Sequence, residues 1–358
     1  MAITPVLPLV RRHLFIRGIV QGVGFRPFVF NLARSLHLSG YVLNSSAGVE
    51  IEAEGAEPAV EEFLSALRMN GPPLAQITDI SISEMPPQAD EGFAIRESRE
   101  EDHPFVLVSP DVATCDDCWR DFGDPDNRRY GYPFTNCTNC GPRYTIVRDI
   151  PYDRPKTTMA HFRMCAECHA EYEDPGNRRF HAQPNACAAC GPGVALLKRG
   201  SAMPDEDAFA DTGSHLATMQ RVRERLHDGE IVAIKGLGGF LLACDAQNAE
   251  AIATLRLRKR RSDKPFALMA RDLASVSSFC FVSEEEGAAL QSTRRPIVIL
   301  RRRPGTRLPE AIAPGNDSIG VMLPYTPLHY LLFSDSPHEP AEFPALVMTS
   351  GKIGRAHV

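Results

Sequence analysis

The chain has 358 residues, which is enough for two or three domains and more than a single compact core usually holds. It carries 39 basic and 45 acidic residues, a formal charge of −6, and this argues against a protein that coats nucleic acid or an anionic membrane. No apolar run approaches the roughly 20 residues of a membrane-spanning helix, and the apolar stretch 3–10 precedes Arg11 and Arg12, the wrong order for a secretory signal. We therefore expect a cytoplasmic protein that does not bind membranes.

The first part of the chain, residues 10–98, predicts a ferredoxin-like domain. It shows four strand patterns and two helix patterns, the numbers required by the order βαββαβ, which is typical of that α+β sandwich. Apolar periodicity indicates strands over 13–20, 49–53, 77–82 and 93–95 and helices over 27–36 and 60–67.

A glycine-rich turn joins the first strand to the first helix, and we call residues 21–26 the phosphate loop. Its glycines let backbone N–H groups converge, the helix N-terminus adds positive potential, and Arg26 has the geometry to grip two phosphate oxygens. The loop reads Gln21, Gly22, Val23, Gly24, Phe25 and Arg26. A G-x-G turn alone is weak evidence, so a turn that only packs a strand against a helix stays an alternative.

Three segments around this loop resemble the acylphosphatase signature. They are the run from Gly18 to Arg26, the run from Gly40 to Asn44, and Gly48-Val49-Glu50. The resemblance implies that Arg26 and the loop hold the phosphate, while Asn44 orients the attacking water. No protein nucleophile is needed, because an acyl phosphate is already activated.

Eight of the ten cysteines form four C-x-x-C pairs, which we call hooks, within a segment that spans 105–198. A shift of 50 residues superimposes the second half of this segment on the first and matches Cys140-Gly141-Pro142 to Cys190-Gly191-Pro192, so the segment is an internal duplication. Two hooks about 20 residues apart offer four thiolates to one Zn²⁺. The ligands would be Cys115, Cys118, Cys137, Cys140, Cys165, Cys168, Cys187 and Cys190.

The hook spacing predicts two structural zinc sites with no open catalytic position. Consecutive pairing of hooks is favoured because each copy is then self-sufficient, and nested pairing of the first hook with the fourth is the alternative. Disulfide bonds are a disfavoured alternative, because they are typical of secreted proteins. A thioredoxin-like redox site is also disfavoured, because it would need a single hook near a βαβ unit. Acidic residues offset the arginines here, which disfavours nucleic-acid binding and favours a surface for docking the flanking domains.

The last part of the chain, 210–358, predicts an α/β domain that follows a linker over 200–213. Helical stripes cover 216–226 and 249–255, and strand candidates are 231–234, 266–269, 296–300, 319–323 and 345–349. Walker and Rossmann patterns are absent from this sequence. A basic run over 256–264 is the phosphate-binding candidate, and an exposed basic helix end or a nucleic-acid patch is the alternative.

This basic run and three further segments resemble the YrdC family, whose members make carbamoyl adenylates on a concave, positively charged face that binds ATP. The matching segments are 235–240, 259–266, 323–327 and 348–351. The resemblance implies that Lys259, Arg261 and Lys264 neutralise the triphosphate, with Thr349 and Ser350 donating hydrogen bonds to it. The family's S-x-N motif has asparagine at its third position, where this chain has Lys352. Residues 352–358 no longer resemble the family, so we expect a chain truncated inside this domain.

The three parts in this order resemble the HypF family, carbamoyltransferases that mature [NiFe]-hydrogenases, over about 10–351. The resemblance implies that carbamoyl phosphate is hydrolysed to carbamate at Arg26 and Asn44 and that carbamate reacts with ATP, accompanied by Mg²⁺, to give carbamoyl adenylate. A further domain, absent from this chain, would transfer the carbamoyl group to the C-terminal cysteine of the partner HypE.

Two other functional classes stay open at this point. YrdC relatives make threonylcarbamoyl adenylate for RNA modification, and a non-enzymatic zinc ribbon would bind nucleic acid. The remaining cysteines, Cys244 and Cys280, lie in apolar stretches without hooks and are expected to be core thiols.

Overall fold

The structure is a computed structural model that describes residues 8–100, 107–198, 215–335 and 338–351. The predicted linker over 200–213 and the departure at 352–358 lie outside the described residues. Contacts divide the described chain into two compact units, one within 1–111 and 136–185 and the other within 112–135 and 186–358. The domain boundaries 10–98, 105–198 and 210–358 stay a prediction.

The sheet of the first unit has the strand order β4-β1-β3-β2-β5. All neighbours are antiparallel except β2 and β5, which run parallel. The ferredoxin-like sandwich is therefore confirmed. Its elements are β1 (Leu9–Ile19), α1 (Phe25–Ser35), β2 (Ser39–Ser45), β3 (Gly48–Ala56), α2 (Glu57–Met69), β4 (Gln76–Met85) and β5 (Phe93–Ile95).

Strand alternation gives the sheet of the first unit one apolar face and one polar face. Leu14, Ile16 and Ile51 point toward α1 and α2 and are fully buried with Val29 and Phe63 from those helices. Apolar residues at i, i+3 and i+4 give α1 and α2 the stripe that this packing requires. The core fixes α1 against β1 and so fixes the ends of the phosphate loop.

The opposite face of this sheet buries a network of charges. Arg11 on β1 donates to Glu52 and Glu54 on β3, with 2.9 Å from its Nη1 to Glu54 Oε2, and it also pairs with Asp90 at 2.7 Å. Tyr41 on β2 lies 2.8 Å from Glu50 and 2.9 Å from Glu52. These carboxylates are compensated, because each one has a cation or a hydroxyl against it.

Hydrogen bonding sets the charge state of Glu54. Burial alone would raise the pKa of its carboxyl, but the backbone N–H groups of Gln88 and Ala89 and the guanidinium of Arg11 donate to it and hold the pKa below its ordinary value. Glu54 is therefore a carboxylate at neutral pH and stabilises the fold in that form.

The first hook of each copy leads into a short helix. Helix α3 (Asp116–Gly123) begins directly after Cys115, and α4 (Ala166–Glu173) begins directly after Cys165. Buried arginines tie the copies together in a reciprocal way: Arg129 Nε donates to the Ala186 carbonyl at 2.9 Å in one unit, and Arg179 Nε donates to the Asn136 carbonyl at 3.0 Å in the other. Short 3-10 turns connect the hooks at Tyr144–Ile146, Arg154–Lys156 and Thr158–His161.

The second unit contains a six-stranded mixed sheet with the order β6-β7-β11-β8-β10-β9. The predicted α/β domain is confirmed. Its strands are β6 (Val232–Gly236), β7 (Gly239–Asp245), β8 (Ala267–Met269), β9 (Val298–Arg301), β10 (Ser318–Met322) and β11 (Leu346–Ser350). Its helices are α5 (His215–His227), α6 (Ala249–Lys259), α7 (Leu273–Phe279), α8 (Glu284–Gln291) and α9 (Pro327–Tyr330), with a 3-10 turn at Glu310–Ile312.

Strand β7 is absent from the sequence-based prediction. The glycines at 236–239 give the appearance of a ligand-binding loop, but they form a tight hairpin that pairs β6 with β7. Gly238 has a φ of 74°, which suits a two-residue hairpin turn. The hairpin places β7 beside β11, where Thr349 lies opposite Leu242.

We predict that Glu54→Gln lowers the free energy of unfolding by about 3 kcal/mol at pH 7, because it breaks a buried ion pair. An unfolded Glu titrates near 4.3, and the folded pKa is lower, so the contribution is complete above about pH 5 and declines as the pH falls below that. Chemical unfolding of wild type and variant at several pH values should show a difference that shrinks on acidification.

Glu84→Gln is the matched control for Glu54→Gln, since Glu84 is 82% exposed and pairs with Arg12 at the surface. Its effect should stay below about 1 kcal/mol. Equal effects of the two substitutions, or a difference from wild type that does not change with pH, would contradict the role assigned to the buried pair.

Candidate functional site

The phosphate loop lies between the end of β1 and the start of α1. Gly22 and Gly24 have φ values of 73° and 76°, a backbone conformation that glycine adopts without strain, and Gly24 is the N-cap of α1. The side chains of Val23 and Phe25 are buried in the core, so they anchor the loop and leave only their backbone for a ligand. The first N–H groups of α1 have no acceptor within the helix, which makes this end suitable for an anion.

Arg26 lies beside Asn44 in the same cavity. With the amide oxygen turned toward the guanidinium, Asn44 accepts from Arg26 Nη2 and Nε, each at 3.2 Å. Both side chains are buried, at 8% and 1% exposure. A buried cation that is held in one orientation is ready to bind a phosphate oxygen with little reorganisation.

Residues that the sequence does not point to also line or contact this cavity. Asp153 accepts from Arg26 Nη2 at 2.8 Å, and the Tyr152 carbonyl accepts from the same atom at 3.4 Å. His181 and Gln183 line the cavity as well. These residues lie more than 100 positions from Arg26, and no local pattern connects them to the loop, so only the folded chain reveals the cluster.

The loop and these later residues are joined by hydrogen bonds. Gln21 accepts from the backbone N–H of Tyr152 at 3.0 Å, and its side-chain amide donates to the carbonyls of Ser45 and Gly48 at 2.7 and 2.8 Å. Gln21 is thus a structural contact between three segments, and its amide is fully used. The side chain of Gln21 therefore shapes the cavity.

Burial and charge keep His181 neutral. Burial, together with the positive charge of Arg26, lowers the pKa of its imidazole to about 4. The same cavity raises the pKa of the Tyr152 phenol, chiefly through burial. Consequently Arg26 and Arg143 are the charged groups that an anion in this cavity meets, together with the carboxylate of Asp153.

The eight hook cysteines form two clusters in consecutive pairing. In each cluster the four sulfur atoms lie within 4.8 Å of one another. The Sγ–Sγ distance is 3.9 Å between Cys137 and Cys140 and 3.8 Å between Cys187 and Cys190. Four sulfurs about 2.3 Å from a central Zn²⁺ lie about 3.8 Å apart, so the donor sets fit zinc well. The clusters are Cys115, Cys118, Cys137 and Cys140, and Cys165, Cys168, Cys187 and Cys190.

Cys244 and Cys280 behave as the core thiols that the sequence predicts. Both are fully buried. Burial raises the pKa of Cys244 to about 12 and that of Cys280 to about 11, so neither forms a thiolate at neutral pH.

The basic residues of the predicted nucleotide site converge on the end of β11. Lys259 donates to the Ser350 carbonyl at 2.6 Å, and Arg261 Nη1 donates to Thr349 Oγ1 at 3.1 Å. Burial and the neighbouring guanidinium of Arg261 lower the pKa of Lys259, as expected where like charges are held close together. Lys264 joins this group only through its backbone carbonyl, which accepts from Arg261 Nε at 2.9 Å, while its side chain is exposed.

Three family models match separate parts of the chain. The acylphosphatase model covers residues 12–95, and the HypF finger model covers 114–147 and again 164–197. The Sua5, YciO and YrdC model, described as telomere recombination, covers 224–357. These matches follow the order of segments that the sequence analysis used.

Whole-chain comparison with curated proteins decides the family. Carbamoyltransferase HypF2 of Cupriavidus necator is 51% identical over 357 residues, which covers 96% of this chain and 43% of that protein. The chain belongs to the HypF family. It spans about 43% of the length of the curated HypF relative named above. A shorter relative, an acylphosphatase of Acidiphilium cryptum, is 46% identical over 89 residues, which cover 25% of this chain and 97% of that protein.

Solved structures give the same relationship. The crystal structure of full-length HypF in a phosphate- and nucleotide-bound form matches with a TM-score of 0.87 and 48% identity, over 98% of this chain and 44% of that one. HypF of T. kodakarensis matches with a TM-score of 0.80 and 46% identity, over 95% and 42% of the two chains. Among the described residues, no helix has the length and apolar character needed to cross a membrane.

Proposed function

We propose that this chain carries two steps of a HypF carbamoyltransferase, the hydrolysis of carbamoyl phosphate and the adenylation of carbamate. The observation that supports the first step is the pair of Arg26 and Asn44, buried together beside the phosphate loop. The convergence of Lys259 and Arg261 on the end of β11 supports the second.

In the first step, carbamoyl phosphate and water give carbamate, inorganic phosphate and a proton. Arg26 and the backbone N–H groups of the phosphate loop bind the phosphoryl oxygens, and Asn44 orients the water. Hydrogen-bond donors that are fixed before the reaction stabilise the charge on the phosphoryl group at low reorganisation cost. Asp153 accepts from Arg26 Nη2 and so restrains the guanidinium. Nη1, whose contact with Ser98 is long at 3.4 Å, is the nitrogen left for the substrate.

In the second step, a carbamate oxygen attacks the α-phosphorus of ATP, and pyrophosphate leaves. Lys259 and Arg261 would neutralise the triphosphate, and an ATP-bound Mg²⁺ would supply further positive charge. Thr349 and Ser350 would donate to phosphate oxygens, and Lys264 would reach the nucleotide from its exposed position. Mutual repulsion among the cations favours an anionic ligand, because the ligand relieves it.

Carbamoyl transfer to the C-terminal cysteine of HypE completes the proposed function and would require a further domain of the family. We also propose that each cysteine cluster binds one structural Zn²⁺, with all four thiolates as ligands. Thiolate ligands of this kind are maintained in a reducing compartment, which supports a cytoplasmic location.

Arg26→Ala is expected to lower the release of phosphate from carbamoyl phosphate by about 100-fold or more, because it removes the charged donor to the phosphoryl group. The measurement is a colorimetric phosphate assay on the zinc-loaded chain. Arg34→Ala is the matched control, since Arg34 lies exposed on the same helix. Undiminished release by Arg26→Ala, or an equal loss with Arg34→Ala, would contradict the assignment.

Metal analysis is expected to give about two zinc ions per chain, because two closed four-thiolate sites are proposed. Cys118→Ser should lower the content to about one. Cys244→Ser should leave it at two, since Cys244 is a buried thiol outside both clusters. A chain without zinc and with its hook cysteines in disulfides would reject the zinc sites.

Exchange of labelled pyrophosphate into ATP is expected to depend on carbamoyl phosphate. Lys259→Ala should lower this exchange about tenfold, which corresponds to the loss of one charged hydrogen bond. Arg258→Ala should not, because Arg258 is exposed on the same helix.

Exchange that depends on threonine and bicarbonate instead would favour an RNA-modification enzyme over a HypF step. Salt-dependent binding of RNA or DNA without exchange would favour a zinc-ribbon protein that binds nucleic acid. Both results would replace the proposed function, because neither uses the cavity around Arg26.

A further inference from the structure

Arg143 is a buried cation beside the phosphate loop that the proposed reaction does not yet use. Its guanidinium donates to the Gly22 carbonyl through Nε, to the Pro142 carbonyl at 2.8 Å through Nη1, and to the carbonyls of Cys137 and Thr138 at 2.9 and 2.8 Å through Nη2. The residue is 1% exposed and lines the same cavity as Arg26. One side chain therefore connects the phosphate loop to the first copy of the duplicated cysteine segment.

The charge of Arg143 is not neutralised by a direct ion pair. In the described part of the chain, no carboxylate lies within 4.0 Å of its guanidinium, and its partners are all backbone carbonyls. Asp111, the nearest acid in this hydrogen-bond network, accepts from the backbone N–H of Arg143 at 2.8 Å and from Thr145. A buried cation without an acid partner is costly, and a bound anion offsets that cost.

The contact with Gly22 determines which groups of the loop a ligand meets. The C=O and N–H groups of one peptide plane point in opposite directions, so holding the Gly22 carbonyl at Arg143 also fixes the direction of the next N–H. A carbonyl oxygen that turned toward an anion would repel it. The stem of Arg143 and the ring of Tyr152 enclose Gly22 from two sides, at 3.2 and 3.3 Å from where a Cβ would stand, so the peptide has little freedom.

The internal duplication provides a comparison within the same chain. Cys140-Gly141-Pro142-Arg143 of the first copy corresponds to Cys190-Gly191-Pro192-Gly193 of the second. Both copies form four-cysteine clusters, so a hook of this kind does not require an arginine at this position. The arginine occurs in the first copy, whose Thr138 lies 3.4 Å from where a Cβ on Gly24 of the phosphate loop would stand.

We propose that Arg143 is a positioning residue for phosphate binding, which holds the Gly22 peptide in the orientation that an anion requires and adds a second positive charge to the cavity. This inference rests on the proposed function of the loop. Arg143 belongs to the duplicated cysteine segment, whereas the site residues that the sequence predicts, residues 21–26 and Asn44, all belong to the acylphosphatase-like part.

The test is the affinity of the zinc-loaded, full 358-residue chain for inorganic phosphate, measured by titration calorimetry. Arg143→Lys keeps the positive charge but loses the planar group that reaches Gly22 while bonding Cys137 and Thr138, and we expect its dissociation constant to rise about tenfold. Arg143→Gln loses the charge as well and should bind more weakly still. Zinc content should remain about two per chain in both variants.

Arg148→Gln is the matched control, because Arg148 is an exposed arginine of the same segment and contacts His161. It should bind phosphate as wild type does. With carbamoyl phosphate, Arg143→Lys should raise KM about tenfold and change kcat by less than about threefold, because phosphate contacts act in the ground state as well as the transition state.

The outcomes separate the two proposals. If wild type binds no phosphate, the proposed function of the loop fails and this inference fails with it. If wild type binds phosphate and Arg143→Lys binds it equally well, only the role of Arg143 is overturned. A variant that loses zinc but whose folded, zinc-bound fraction keeps wild-type affinity would make Arg143 a purely structural residue, which also overturns the inference.

Discussion

The proposed phosphate site depends on keeping a buried guanidinium charged, oriented and available for an anion. Arg26 meets this requirement by sharing only part of its donor set with Asp153 and Asn44, both held within the same compact unit. A fully paired arginine would have little affinity left for phosphate, and an unpaired one would cost several kcal/mol to bury. Arg26 lies between these two cases, because the carboxylate of Asp153 contacts only one edge of its guanidinium.

Sequence reasoning identified the elements whose signals are local. The phosphate loop, Asn44 and the hooks are all recognisable from residues within a few positions of one another, and the structure brings Arg26 to Asn44 and groups the cysteines consecutively. Tyr152, Asp153 and His181 carried no such signal, because their relation to Arg26 exists only after long-range packing. Strand β7 was missed for a related reason, since a glycine-rich turn suits both a ligand loop and a hairpin.

Apolar and acidic residues alternate along β3, and this strand is a second case in which local sequence does not reveal long-range contacts. Ile51 and Ala53 on one face predict burial, and they are buried, but the sequence does not reveal that Glu52 and Glu54 on the other face are also covered. Their burial depends on Arg11 of β1 and on the backbone N–H groups of Gln88 and Ala89, which are distant in the chain. Charged residues that alternate with apolar ones therefore predict a strand reliably and its solvent exposure poorly.

The two proposed anion sites, which would serve successive reactions, orient basic side chains in the same way. Arg143 beside the phosphate loop, and Lys259 and Arg261 at the end of β11, donate to backbone carbonyls, which orient the cations and carry no net charge. Carbonyl dipoles make desolvation of a cation tolerable, and the anionic substrate completes its environment. If the first site releases carbamate, a short-lived species in water, then covalent linkage to the second site raises its effective concentration there. The benefit of joining the sites in one chain thus follows from the lifetime of the intermediate and holds whether or not either site changes its own affinity.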